Sequence, residues 1–185
     1  MNERPCYLVR WIYEGKNLFL LWRYGEKGPD YYVLRDQDES VLLMTSTRKE
    51  IIDHAKKRDL QTSQDAEHVL DFTDLDKVLR RMRPGKYFSQ KMSEVLLNFW
   101  NMLDDVSNSV KIQLIPVDCF DKKDLDKLYE KLFFGNNLPS VTPEGSKYFP
   151  IMIAKELKIL RKLFRQAIAT LPKIMDSTLV APKTG

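Results

Sequence analysis

The spacing of apolar residues changes along this chain, and that change constrains the fold more than any other feature of the sequence. Up to about residue 45, β-branched and aromatic residues form short runs separated by turn-forming residues, a pattern typical of β-strands. From residue 73 onward, apolar residues recur every three or four positions, which is the period of an α-helix. The sequence therefore predicts an α+β fold, with an N-terminal antiparallel β-meander followed by a helical layer of about five helices.

The predicted meander has four strands joined by short turns. They cover residues 7–13, 18–24, 31–35 and 41–44, and a further short strand is expected at 69–72. Gly15 lies in the first connection, as a tight hairpin requires. A helix over about 48–58 would follow, with Thr45 or Ser46 as its N-cap.

The strongest helical pattern covers residues 87–109 and predicts a long amphipathic helix in the core. A shorter helix is expected to open at Thr73, where Asp76 would complete a capping box. Two more are predicted at 121–134 and from near Pro150 to Pro172. With 185 residues, 43% of them hydrophobic, we expect one domain over 1–175, with 1–45 the meander and 46–175 mainly helical, and a flexible tail at 176–185.

The motifs of known chemistries are missing from the sequence. The two histidines, His54 and His68, have no metal-ligand spacing, and the seven glycines form no phosphate-binding loop. Cys6 and Cys119 have no base or ligand nearby in sequence, and are expected to be reduced and mostly buried. The sequence therefore predicts a protein that is not an enzyme and that uses no cofactor and no metal.

The first residues of the chain and the lengths of its apolar runs indicate the cellular compartment of the protein. The N-terminus shows no secretion signal. The longest apolar run has five residues, far fewer than the roughly 20 that span a bilayer as a helix. The prediction is a cytoplasmic protein that does not bind membranes.

One side of the long helix carries short polar residues. Asn101, Asp105 and Asn108 share a face, with Asp104 beside them. This stripe could be a solvated face, a hydrogen-bonded lock onto a neighbouring segment, or a recognition surface for lysine and arginine side chains of a partner.

The charge is unevenly distributed along the chain. Residues 1–70 carry 11 basic and 12 acidic residues, 71–120 carry seven of each, and 121–185 carry 12 basic and seven acidic. The excess forms a stripe on the last predicted helix, which we call the basic stripe: Lys155, Lys158, Arg161, Lys162 and Arg165. It suggests the alternative function, a nucleic-acid-binding accessory protein, although a solvated helix face, whose cations also favour the negative end of the helix dipole, is the favoured explanation.

Two segments of the chain resemble a known family. They are residues 97–109 (LNFWNMLDDVSNS) and 128–145 (LYEKLFFGNNLPSVTPEG). Together they resemble bacterial immunity proteins encoded beside polymorphic toxins, including the contact-dependent growth inhibition type, and the likeness covers about residues 90–145. It implies a cytoplasmic inhibitor that binds a cognate toxin C-terminal domain as a 1:1 complex and blocks its active site or substrate surface.

The toxins of such systems are often nucleases, whose cationic surfaces would attract carboxylates. Because the whole chain has a net charge of +4, any such complementarity must be local. Asp36, Asp38 and Glu39 in a predicted turn are further acidic candidates. The candidate partner-binding residues are Asp104, Asp105, Asn101, Asn136, Asn137 and Glu144.

Overall fold

The computed structural model describes residues 4–36, 38–115, 117–175 and 179. The chain forms two compact units. Unit 1 takes its residues from 1–73, 104–114 and 168–185, and unit 2 from 74–103 and 115–167. The single-domain interpretation stays a prediction. The tail expected at 176–185 lies outside the described residues, except for Leu179.

Unit 1 is built on a four-stranded sheet of order β3-β2-β1-β6. Strands β1 to β3 pair antiparallel, as the sequence predicts, but β6 pairs parallel with β1. A separate two-stranded sheet contains β4 and β5. The strands are β1 (Tyr7–Tyr13), β2 (Lys16–Arg23), β3 (Tyr31–Tyr32), β4 (Leu34–Arg35), β5 (Asp38–Leu42) and β6 (His68–Asp71).

The first hairpin closes in two residues, Glu14 and Gly15, with φ angles of 49° and 73°. Two successive positive φ angles give a turn whose twist matches that of the strands. Glycine adopts this conformation without strain, so the hairpin is tighter than the four-residue connection that the sequence suggests.

Helix α1 (Arg48–Lys57) packs on the sheet of unit 1. Its N-cap is Thr47, where the sequence predicted Thr45 or Ser46, because Thr47 forms a reciprocal capping box with Glu50. Ile51 and Ala55 of this helix are fully buried in a cluster of apolar side chains. The other buried members of the cluster are Cys6, Leu8, Leu21 and Leu43.

Four further helices confirm the predicted helical region. They are α2 (Phe72–Arg81), α3 (Gln90–Val110), α4 (Lys122–Gly135) and α5 (Ala154–Thr170). Thr73 lies inside α2 and does not cap it; its backbone N–H donates to the Asp71 carboxylate at 2.8 Å. Helix α5 begins four residues later than expected, because the segment before it is extended.

The core of unit 2 has Trp100 of α3 at a junction of helices. The Trp100 ring lies edge-on to Tyr129 of α4 and to Phe164 of α5, with centroids 5.7 and 6.3 Å apart. Aromatic pairs of this geometry add to the free energy gained by burial. The Trp100 side chain therefore links the three helices through two aromatic contacts.

Candidate functional site

An extended apolar segment precedes α5 in unit 2 and pairs with the segment before α3. Tyr87 and Ile151 form an antiparallel β-bridge. The backbone N–H of Gly85 donates to the carbonyl of Met152 at 3.0 Å, and that of Phe88 to the carbonyl of Pro150 at 2.9 Å. We call residues 85–88 and 148–153 the apolar ribbon.

Burial alternates along residues 149–153 of the ribbon, as it does along a strand. Pro150 and Met152 are buried, whereas Phe149, Ile151 and Ile153 are 43%, 41% and 56% exposed. Tyr87 is 71% exposed, and it lies directly across from Ile151 on the same face. Four large apolar side chains therefore share an exposed face, and contiguous exposed apolar surface of this kind marks interaction sites.

Hydrogen bonds from unit 2 hold the ribbon in place. Asn137 Nδ2 donates to the carbonyls of Gly135 and Tyr148, both at 2.9 Å, and its Oδ1 accepts from the Tyr148 N–H at 2.7 Å. These three bonds fix the start of the ribbon to the end of α4. The apolar face is thus fixed before any partner arrives, which lowers the entropic cost of binding.

A buried ion pair fixes the other end of the ribbon. Lys131 Nζ lies 2.8 Å from both carboxylate oxygens of Glu156 and 3.0 Å from the carbonyl of Ile151. Glu156 also accepts from the backbone N–H of Ile153 at 2.9 Å. The Glu156 side chain is 8% exposed, and Lys127 Nζ lies 3.8 Å from it as a second, weaker partner, so loss of Lys131 would leave a buried carboxylate with only partial compensation.

The connection between α4 and the ribbon adds more exposed apolar surface and a mixed set of charges. Its exposed apolar residues are Leu138 and Val141, and in sequence they are flanked by exposed Phe134 near the end of α4 and exposed Tyr148 at the start of the ribbon. Glu144 and Lys147 on this connection are exposed, and so is Lys86 on the ribbon. An apolar centre with a polar edge is the usual composition of a protein–protein interface.

The predicted residues of the α4–α5 connection have different roles. Asn136 is buried and forms the C-cap of α4, with its N–H directed at the last carbonyls of the helix. Asn137 clamps the ribbon, as described above. Glu144 is exposed in a turn and is available to a partner. Asn101 is exposed on α3, where its Oδ1 accepts from the Tyr129 hydroxyl at 3.0 Å.

The two aspartates of the predicted stripe belong to unit 1. Asp105 accepts a hydrogen bond from the Trp22 indole N–H at 2.9 Å. The pKa of Asp105 is raised to about 6, chiefly by burial; the hydrogen bond from Trp22 lowers the pKa, and the nearby carboxylates of Asp30 and Asp104 raise it. Asp104 is exposed, although partial desolvation also raises its pKa. Of the three interpretations that the sequence allows for the stripe, Asp105 therefore fits the hydrogen-bonded lock onto a neighbouring segment.

Two of the three acidic residues around β5 have hydrogen-bond or ion-pair partners within unit 1. The Asp36 carboxylate pairs with Arg58 at 2.7 Å. Asp38 accepts from the Ser40 backbone N–H at 3.0 Å, and the Ser40 hydroxyl, which also donates to it, is the main reason why its pKa lies below the usual value. Glu39 is exposed.

Three members of the basic stripe contact groups within unit 2. Lys155 pairs with Asp124 at 2.6 Å. Arg161 Nη2 donates to the carbonyl of Met82 at 2.7 Å, and Lys162 Nζ lies 5.2 Å from the centre of the Phe120 ring. Lys155 and Arg161 therefore have polar partners within unit 2, whereas Lys155, Lys158, Lys162 and Arg165 are all exposed on the surface of α5.

Metal-ligand groups and membrane spans were also considered within the described part of the chain. No three potential ligands among His, Cys, Asp and Glu come together there. None of the helices in the same ranges is long and apolar enough to cross a bilayer. Cys6 is buried, but Cys119 is exposed, contrary to the expectation that both thiols are buried.

The sequence pattern does not predict the apolar ribbon. It places residues 151–153 at the start of the last helix, because their apolar side chains fit the helical period. The signal was nevertheless present: Pro150 biases the preceding residue toward extended backbone, and five large apolar side chains, Tyr148, Phe149, Ile151, Met152 and Ile153, surround it.

Comparisons with known proteins show a similar fold. No protein-family model and no curated protein matches the sequence. Among solved structures, the C-terminal domain of SatS in complex with bromine has a TM-score of 0.55 to this chain, covering 92% of each chain at 8% sequence identity. At that identity the likeness concerns the fold alone.

Proposed function

We propose that this chain is an immunity protein that binds a cognate toxin domain and neutralises it, with the apolar ribbon at the centre of the contact. The observation that carries the proposal is the exposed face of Tyr87, Phe149, Ile151 and Ile153. Aromatic and aliphatic anchors held in rigid positions supply most of the binding energy in protein complexes. The family resemblance, which includes the adjoining residues 128–145, supports a toxin domain as the partner.

The surroundings of the ribbon favour a folded protein over a nucleic acid as the partner. Nucleic-acid binding depends on free cations that neutralise phosphates. The face of the ribbon is apolar, and two members of the basic stripe, Lys155 and Arg161, already have partners inside unit 2. A protein surface with an apolar patch fits this face better.

The charges beside the ribbon define the edge of the proposed interface. Lys86, Lys147 and Glu144 are exposed there, so the partner should carry both signs of charge around an apolar centre. Glu144 is the acidic residue best placed to meet a cationic group of a nuclease. In this proposal Asn101 is a peripheral contact, and Asn136, Asn137 and Asp105 support the structure.

The proposed mechanism is inhibition by occupancy. The complex forms 1:1 in the cytoplasm, covers the active site or substrate surface of the toxin, and requires no catalysis and no cofactor. Specificity comes from the fit of the ribbon to the apolar patch of one toxin, and the charged edge sets the rate of association.

Co-expression with the toxin domain encoded by the adjacent gene tests the proposal. The wild-type chain should protect cells and form a stable complex. The Ile153→Glu variant places a charge in the apolar contact, and we expect affinity to fall by about 100-fold or more and protection to be lost. Binding is measured by titration calorimetry with purified proteins.

Ile112→Glu is the matched control, because Ile112 is an exposed isoleucine of unit 1 and should tolerate the change. Circular dichroism must show that both variants remain folded. If the wild-type chain neither binds nor protects, the function is wrong. If Ile153→Glu protects as well as wild type, the ribbon is not the contact.

A further inference from the structure

Unit 1 contains an open cavity of about 470 Å³ that the proposed function does not use. Small-molecule sites in proteins usually have volumes of this order, with mainly apolar walls and a few polar groups. The walls come from β2 to β4, the segment after α1, and the end of α3. Three basic residues, Arg23, Arg58 and Lys111, line the cavity, and none of the lining residues that the structure describes is acidic, although Arg58 is paired with Asp36.

Arg58 is fixed in the wall through two of its three guanidinium nitrogens. Its Nη1 donates to the carbonyl of Leu34 at 2.8 Å, and its Nη2 pairs with Asp36 at 2.7 Å. Its Nε is buried and has no hydrogen-bond partner among the described residues. Because Nε is shielded from solvent, a ligand in the open cavity does not reach it, and Arg58 contributes positive charge to the wall that Asp36 partly balances.

Lys111 provides a second positive charge at the solvent side of the cavity. It follows the last residue of α3 in the left-handed conformation, with φ 57°. Its Nζ donates to the carbonyl of Asn108 at 2.7 Å, and the side chain is exposed. A lysine held by one carbonyl retains two donors for an incoming anion.

The remaining wall is apolar and firmly built. Tyr31, Tyr32 and Leu60 are among its members. The Tyr32 backbone N–H donates to Ser109 Oγ at 2.7 Å, and that hydroxyl donates to the carbonyl of Asp105 at 2.6 Å. These bonds tie β3 to the end of α3, so the cavity does not depend on a mobile loop.

We propose that this cavity binds a small organic anion, with an aromatic or aliphatic body against the apolar wall and a carboxylate or phosphate against the basic residues. The cations attract the charged group, and burial of the body adds affinity that a bare inorganic ion lacks. The site is independent of the apolar ribbon, so either assignment can fail without the other.

Titration of the full chain with matched naphthalene probes tests this site. The probes are 2-naphthoate, 2-naphthyl phosphate, the neutral 2-naphthalenemethanol and inorganic phosphate. At least one naphthyl anion should bind about ten-fold more tightly than both the neutral compound and inorganic phosphate. The stronger naphthyl anion identifies the charged group that the cavity prefers.

Amide chemical shifts and one pair of variants locate the binding. Shifts should change at residues 23, 31–34, 58–60 and 108–111. Lys111→Gln should weaken the anion about five-fold, whereas Lys49→Gln, at an exposed lysine of α1 outside the cavity, should not. Equal affinity for the neutral probe, shifts at 148–153 instead, unchanged affinity in Lys111→Gln, or no binding of either naphthyl anion would each overturn the proposal.

Discussion

Asp105 shows how a polar residue on a helix face can serve the fold more than a partner. The Trp22 indole N–H satisfies one of its oxygens, and the surrounding protein raises its pKa to about 6. The folded state therefore favours the protonated carboxyl more than the unfolded chain does. A group of this kind is a poor choice for attracting a cationic partner at acidic pH, because it becomes neutral there.

We expect Asp105→Asn to remove a pH-dependent loss of stability. Because the pKa of Asp105 is higher in the folded protein than in the unfolded chain, this carboxyl stabilises the folded wild type below about pH 4. That stabilisation is lost as the pH rises to about 6. The asparagine can still accept from Trp22. Between pH 4 and pH 7 the free energy of unfolding of wild type should therefore fall relative to the variant by about 1–2 kcal/mol, allowing for solvent around a half-buried carboxylate. Urea unfolding at the two pH values measures this difference.

Asp38→Asn is the control of opposite sign. The pKa of Asp38 is lowered, chiefly by the Ser40 hydroxyl, so Asp38 stabilises wild type at high pH and that contribution is lost as the pH falls below about 4. If Asp105→Asn and wild type show the same pH dependence, the carboxylate is not held as described.

Individual residues of the candidate site could be predicted only in part. The helical period correctly placed Asn101, Asp104 and Asp105 on α3. It could not show that Trp22, 83 positions earlier, donates to Asp105, nor that Asn137 bonds to Tyr148. Such contacts depend on how distant segments meet, and spacing along one helix carries no information about that.

At the scale of elements, local signals predicted most of the helices and strands. The capping positions of α1 and α2 differed by one or two residues, because several Ser, Thr and Asp side chains compete at each start. The parallel β6 was predicted as a strand but not as a neighbour of β1. The apolar ribbon was missed because its pairing with residues 85–88 joins segments more than 60 positions apart.

Gly135 lies where α4 passes closest to the apolar ribbon. A Cβ atom there would be 2.5 Å from Ser93 Oγ and 2.8 Å from Pro150 Cδ. Glycine to alanine within a helix usually stabilises by up to about 1 kcal/mol. Here we expect Gly135→Ala to destabilise by about 1–3 kcal/mol, because the rigid Pro150 ring must move. Urea unfolding measures the loss, and faster hydrogen exchange of the Phe88 amide should accompany it.

Gly28→Ala is the matched control. No atom lies within 4 Å of a Cβ placed at Gly28, so stability should change by less than about 0.5 kcal/mol. If Gly135→Ala proves as stable as Gly28→Ala, α4 and the ribbon do not meet as closely as described.

At the scale of the molecule, the helices connect the two compact units. Residues 90–103 of α3 belong to unit 2 and residues 104–110 to unit 1. Leu103 and Val106, on either side of this division, are both fully buried. Because one continuous run of helical hydrogen bonds joins them, opening one unit alone would disrupt a helix that the other requires.

We therefore expect the two units to unfold in one cooperative transition, in accord with the single-domain prediction. Native-state hydrogen exchange should give the same opening free energy, and the same dependence on urea, for the slowest amides of β1 and of α4. If the amides of α4 exchange through a smaller opening than those of β1, the units unfold separately.

Charge at this scale differs from what the sequence suggests. The excess of basic residues after position 121 indicated a cationic face. In the folded chain, Lys155 and Arg161 contact groups that lie 31 and 79 positions away. Lys158, Lys162 and Arg165 are exposed, so net charge per segment indicates a basic surface but could not predict which of its cations are paired, because the partners come from elsewhere in the chain.

The alternation along the ribbon separates the positions that maintain the fold from those free to change. Pro150 and Met152 face inward, whereas Phe149, Ile151 and Ile153 face outward. Substitutions at the outward positions could alter the partner that is recognised at little cost to stability. Under the proposed function, a lineage that meets a succession of new toxins would therefore diversify its specificity at every second residue of this segment while the backbone stays the same.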